Sequence, residues 1–173
     1  MYFHSFNIGY IDIPNCKTLN IYTVGCPHHC NGCHAKDLQD INNKERQILT
    51  FNLIKNKLDN GLDKINNKNF FQGICWLGGD PLYQWDDFIK INTELKNSIY
   101  KNLYNIVYTG YLYLDLPLNK QNELINCIDI IIDGPWKGIT IDKPNCNQKI
   151  WFKKENKFIE VNYKYLENYF KNI

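Results

Sequence analysis

The sequence predicts an α/β fold: a single domain over residues 1–173, built as a shortened, partial (β/α) barrel around a mainly parallel sheet. Three observations predict it. Strand-like and helix-like segments alternate along the chain, the pattern of βαβ units. A length of 173 residues suffices for one core but is too short for a full eight-fold barrel. Four short motifs follow strand-like runs directly, where α/β sheets carry their sites.

The elements read in order as follows. Leu19 to Val24 is a β-rich run ending at Gly25, and a cysteine loop from Cys26 to His34 follows at once. Asn42 to Gln47 is polar. Phe51, Leu53, Ile54, Leu58 and Leu62 recur near helical spacing, with Thr50 as N-cap and Gly61 near the end. Asp63 to Asn69 is a polar connection. Phe70 to Leu77 reads as a buried strand stopped by Gly78-Gly79-Asp80-Pro81. Trp85 to Leu103 reads as a helix with Phe88, Ile89, Ile91, Leu95 and Ile99 on one side. Tyr104 to Tyr108 is a strand that breaks at Thr109-Gly110. Asn119 to Asn126 is a short helix. Ile128 to Ile132 is apolar except for Asp129 and closes at Asp133-Gly134-Pro135. Gly138 to Asn147 reads as a loop, and Lys149 to Tyr163 as one or two strands around Glu155-Asn156.

Bulk properties narrow the function classes. A formal charge of +2 gives no argument for nucleic acid or an anionic membrane as partner. No apolar run approaches the length of a membrane span. The N-terminus lacks a basic region followed by an apolar one, so no signal peptide is expected. Seven cysteines, an odd number with three of them inside eight residues, do not resemble a secreted disulfide framework. The expected setting is a reducing cytoplasm, where clustered cysteines bind metal or do redox chemistry.

The cysteine loop carries the chemistry. Cys26, Cys30 and Cys33 are spaced C-x3-C-x2-C. Three thiolates on a compact loop suit three irons of a [4Fe–4S] cluster and leave the fourth iron open. Gly25 and Gly32 allow tight turns around a bulky core. A structural zinc site is the rival, with His28, His29, His34 or Cys16 completing the ligand set. A redox dithiol at Cys30 and Cys33 is a further alternative. The plain reading of His28 and His29 is as solvent-facing loop residues. Cys16, Cys75, Cys127 and Cys146 read as ordinary small residues.

This motif after an early strand resembles the signature of the radical S-adenosylmethionine (SAM) superfamily. Ile74 to Leu82, with Gly78-Gly79-Asp80, resembles that family's glycine-rich segment. Val107 to Tyr111 and Ile130 to Trp136 resemble two further stretches of the small activating proteins of anaerobic ribonucleotide reductases. Asn147-Gln148-Lys149 resembles their Asn-Gln-Arg, with Lys149 for Arg. Cys33 to Gln39 resembles a run found in a subset of them. Pro14-Asn15-Cys16-Lys17 departs from the glycine-rich approach to the first strand.

The resemblance implies a single radical SAM domain that reductively cleaves SAM at a cluster held by Cys26, Cys30 and Cys33. It implies SAM contacts from Gly32, His34, Gly78, Gly79, Asp80, Thr109 and Asp133. It further implies a glycyl radical generated on the large subunit of an anaerobic (class III) ribonucleotide reductase, with an electron donor such as flavodoxin. For Asp80 the bland reading is a helix N-cap; for Thr109 and Asp133 it is capping of strand ends. Trp136 and Tyr111 are either partner contacts or packing. Two other functions stay open: a small radical SAM enzyme acting on a small molecule, such as a deazapurine carboxylate synthase, and a non-catalytic metal-binding module.

Overall fold

The computed structural model describes residues 1–60, 62–63 and 68–172. Gly61 and most of the polar connection expected after it lie outside the described residues. The strands are β1 (Tyr2–Gly9), β2 (Thr18–Thr23), β3 (Gln47–Ile48), β4 (Leu62–Asp63), β5 (Lys68–Asn69), β6 (Gly73–Gly78), β7 (Tyr104–Thr109), β8 (Ile130–Asp133), β9 (Lys149–Lys154) and β10 (Lys157–Val161). The helices are α1 (Phe51–Asn60), α2 (Trp85–Lys96), α3 (Leu118–Cys127) and α4 (Tyr163–Lys171).

Eight strands form one sheet in the order β10-β9-β8-β7-β6-β2-β1-β3, while β4 and β5 pair separately. The four central strands β2, β6, β7 and β8 are parallel. β1 and β3 extend one side antiparallel, and β9 and β10 extend the other. The sheet is therefore mixed, and the expected parallel character belongs to its centre alone. The antiparallel additions are returns of the chain on itself; β9 and β10 are joined through Glu155, whose φ is 57°.

Beyond the two-residue strands β3, β4 and β5, two longer elements are not anticipated by the sequence. β1 carries a register shift between Phe3 and Ser5, which breaks the period-2 alternation by which strands are recognised. α4 is a short Tyr-rich helix that buries only Leu166 and Phe170, four residues apart. Its Asn162 side chain accepts from Tyr165 N, a regular N-cap. Three elements are shorter than the sequence suggests: β6 begins at Gly73 rather than Phe70, and α2 stops at Lys96, with Ile99 76% exposed rather than part of the apolar face. β8 begins at Ile130, two residues later than expected.

The sheet is covered on both faces. One face packs Ile21, Trp76, Val107 and Ile131 against helices α1, α2 and α3. The opposite face packs Cys75, Ile106, Ile130 and Ile132 with Leu166 and Phe170 of α4. Burial on both sides explains why β8 is apolar at successive positions. Asp129, the polar residue just before it, accepts from Lys96 Nζ at 2.6 Å and Asn105 N at 2.7 Å. Because β2, β6, β7 and β8 are parallel neighbours, the loops after them share one edge. The cysteine loop, Gly78-Gly79-Asp80, Thr109-Gly110 and Asp133-Gly134 all lie there.

Candidate metal centre

The cysteine loop leaves β2 through Gly25, whose φ of 89° favours glycine. It winds further at His29 (φ 47°) and Gly32 (φ 70°). Its neck is closed by Gly25 N donating to Leu38 O at 2.8 Å and Cys26 N to Gln39 O at 3.0 Å. Within it, Cys33 N donates to Cys30 O at 3.2 Å. Cys26, Cys30 and Cys33 are free and half-buried, whereas Cys16, Cys75 and Cys127 are buried. Burial pushes the Cys16 and Cys127 thiols up to about 12, and Cys75 well above its ordinary value. Cys146 Sγ donates to Ile139 O at 3.3 Å.

Burial also raises the Cys26 thiol, a backbone hydrogen bond at His28 opposes the rise, and the charges of Asp80, Cys30 and Cys33 add to it. The Cys26 thiol therefore senses the other two. Among the described residues, no three His, Cys, Asp or Glu groups are drawn together as tightly as a bound metal ion would hold them. The loop carries three cysteine thiols within eight residues.

Gly78 and Gly79 bring the end of β6 against the end of β2. A Cβ on Gly78 would come 2.5 Å from Thr23 O, and its φ is 104°. A Cβ on Gly79 would come 2.4 Å from Gly25 O. Without those side chains, Gly79 N donates to Thr23 O at 2.8 Å and Asp80 N to Gly25 O at 2.7 Å. The glycine segment thus clamps the neck of the cysteine loop.

Asp80 is 1% exposed and its carboxylate is thoroughly engaged. Oδ1 accepts from Leu82 N at 2.9 Å, capping the short 3₁₀ turn Pro81–Gln84. The Thr109 hydroxyl lies 3.0 Å from Oδ1 and 2.9 Å from Oδ2. Gly110 N donates to Oδ2 at 2.8 Å, and His28 Nε2 lies 2.9 Å from the same oxygen. The capping role of Asp80 is thus realised, and Thr109 joins it.

His28 is the residue that sequence reasoning missed. It is half-buried rather than solvent-facing; it bonds Asp80 and packs edge-on against Tyr111, ring centroids 4.6 Å apart. Nothing in the C-x3-C-x2-C spacing signals this. His29 is exposed, with Nδ1 3.2 Å from Gln39 Oε1.

Asp133 shares no hydrogen bond with the Asp80 group. Its Oδ2 accepts from Tyr113 N at 2.6 Å, holding the loop after β7, and Gly134 N donates to Tyr111 O at 3.2 Å. Its Oδ1 is buried without a partner among the described residues, as is Trp151 Nε1. Burial raises its carboxyl; Tyr113 N and the nearby Trp151 indole offset part of the rise. Asn147 Nδ2 donates to Pro135 O and Gln148 Nε2 to Gly134 O, so both brace the loop after β8. His34 packs on Trp136 with centroids 4.7 Å apart, joining the far end of the cysteine loop to that same loop. Gly32 has open space where a Cβ would stand. An open groove of about 750 Å³ runs beside the loop, lined by His4, Tyr22, His34, Asp37 and Glu45 among others.

A family described as the 4Fe-4S single cluster domain matches residues 16–162, most of the chain and all of the edge just described. The chain belongs to the 4Fe-4S single cluster domain family. This member is also similar to the anaerobic ribonucleoside-triphosphate reductase-activating protein of Enterobacteria phage T4. The two are 27% identical over 155 residues, which cover 85% of each chain. Among the described residues no helix is long and apolar enough to cross a membrane.

The donor set fits the family's cluster. Cys26, Cys30 and Cys33 are the three half-buried thiols gathered on one loop, and thiolates are the usual ligands of iron–sulfur clusters. Cys16, Cys75 and Cys127 are buried in the apolar layers instead. With three protein ligands, one iron of a four-iron cluster stays open to another molecule.

Proposed function

We propose that this protein is a radical SAM activase: it reductively cleaves SAM at a [4Fe–4S] cluster and generates a glycyl radical on the large subunit of an anaerobic ribonucleotide reductase. The observation that carries the reading is the likeness to the phage activating protein along 85% of both chains. The cysteine loop at the shared edge of four parallel strands supports it. Cys26, Cys30 and Cys33 are the ligands in this reading, and the sheet is the core of a partial barrel.

A cluster held by Cys26, Cys30 and Cys33 would supply the single electron that reductive cleavage of SAM requires. The chain's own residues position the components. Gly78 and Gly79 let the backbone after β6 approach closely, and Asp80 with Thr109 fixes its course. Gly32 and His34 lie on the cysteine loop where a bound nucleoside would run, with Asp133 holding the next loop. The groove beside His34 offers a path by which a partner's glycine-bearing segment approaches. The electron donor is a small cytoplasmic carrier such as flavodoxin.

The test is anaerobic reconstitution with iron and sulfide, followed by dithionite, SAM and the reductase large subunit. The expected result is a glycyl radical on the large subunit, read by electron paramagnetic resonance (EPR). Release of 5′-deoxyadenosine without any protein radical would contradict the activase reading and point to a small-molecule substrate.

A further inference from the structure

We propose that His28 is a positioning residue that pins the cysteine loop to the ends of β6 and β7 and thereby sets where Cys26 and Cys30 stand. The inference rests on the reading of Cys26, Cys30 and Cys33 as cluster ligands.

Three constraints meet on this one ring. Nε2 lies 2.9 Å from Asp80 Oδ2. The other groups bonded to that carboxylate are a hydroxyl and backbone N–H donors, and an ionised carboxylate only accepts, so Nε2 is placed to donate as well. The ring meets Tyr111 edge-on at 78°. It also lies flat against Gly110, where a Cβ would come 2.4 Å from His28 Cδ2.

The post to which His28 is tied does not yield. Asp80 is 1% exposed and held independently by Leu82 N, Thr109 Oγ1 and Gly110 N. Between Cys26 and Cys30, Pro27 and His29 are exposed. His28 is therefore the only side chain of that stretch seen to bond the strand ends among the described residues. A loop closed only at its neck would let its thiols spread. A tether midway between two ligands holds them near their working geometry, as groups behind metal ligands commonly do.

Gly110 supplies a test that leaves the hydrogen bond's chemistry untouched. Its φ is outside the left-handed region, so alanine there is opposed by the His28 ring rather than by backbone strain. Gly110→Ala should push the ring off Asp80, and deleting the ring should make that methyl harmless. His28→Gln keeps an N–H at nearly the position of Nε2.

The experiment compares the full chain with H28A, H28Q, G110A, C30A and the H28A/G110A pair after anaerobic reconstitution. It reads the rate of iron loss to a chelator and the EPR spectrum of the reduced cluster, with melting of the iron-free chain as the folding control. H28A and G110A should each lose iron about tenfold faster, the scale seen for groups behind metal ligands. H28Q should stay close to the unaltered chain, and the pair should lose iron no faster than H28A. If H28A keeps the unaltered rate and spectrum, or G110A does equal further damage on top of H28A, the positioning role is overturned. If C30A also keeps the cluster, the ligand reading falls and takes this inference with it. Should H28A fail to melt cooperatively, G110A and H28Q carry the comparison.

Discussion

The Thr109 hydroxyl spans both carboxylate oxygens of Asp80, at 3.0 Å and 2.9 Å, and so joins the ends of two neighbouring parallel strands. Thr109→Val removes that link but leaves Asp80 its two backbone donors. A lost hydrogen bond of this kind costs about 1 kcal/mol. Denaturant unfolding of the iron-free chain should show that loss for T109V, whereas T109S should recover most of it.

Gly79→Ala tests the clamp between β6 and the cysteine loop. Its Cβ would come 2.4 Å from Gly25 O and 2.8 Å from Leu38 O, both backbone atoms that cannot turn aside. Overpacking of this kind costs about 1–3 kcal/mol. Because Gly25 directly precedes Cys26, a cluster ligand in the proposed reading, the displacement should also lower the iron bound per chain. Thermal melting and iron analysis of G79A check both effects.

Asp133 makes stability depend on pH in a direction set by its burial. Its carboxyl titrates above the ordinary aspartate value because ionisation is unfavourable where it lies. The folded state then binds its proton more readily than the unfolded state. Asp133 thus adds stability below the ordinary aspartate value of about 4, and that stability is lost as pH rises through the raised value. Asp133→Asn should therefore gain on the unaltered chain as pH rises across that window. Urea unfolding at a series of pH values reads the difference; Asp133→Asn losing stability relative to the unaltered chain as pH rises across that window would contradict this sign.

The cysteines should divide by reactivity. Thiolate is the reactive form, and burial holds Cys16 and Cys127 near 12. Short treatment of the folded, iron-free chain with iodoacetamide should label Cys26, Cys30 and Cys33 ahead of Cys16, Cys75 and Cys127. Peptide mapping by mass spectrometry shows the order, and reconstituted iron should protect the loop cysteines selectively.

Much of this was legible in the residues, for identifiable reasons. The central strands are apolar on both faces and end at glycine, so β6, β7 and β8 stand out, and with them the edge that gathers four loops. β1 was hidden because its register shift scrambles the alternation that marks a strand. The mixed character of the sheet was hidden with it, since strand direction depends on returns of the chain rather than on composition. α2 looked longer because Ile99 continues the apolar spacing, although the helix has already ended at Lys96. The contact between His28 and Asp80 joins residues 52 apart in sequence. No local pattern encodes it; it arises only when the loop after β2 folds across the ends of β6 and β7.

The proposed activity requires Cys26, Cys30 and Cys33 to hold a cluster that cleaves SAM. The most direct measurement is 5′-deoxyadenosine formed when the reconstituted, dithionite-reduced chain meets SAM. The unaltered chain should form it, and Cys30→Ala should form none and lose its bound iron. A fully iron-loaded chain that yields none would contradict the account.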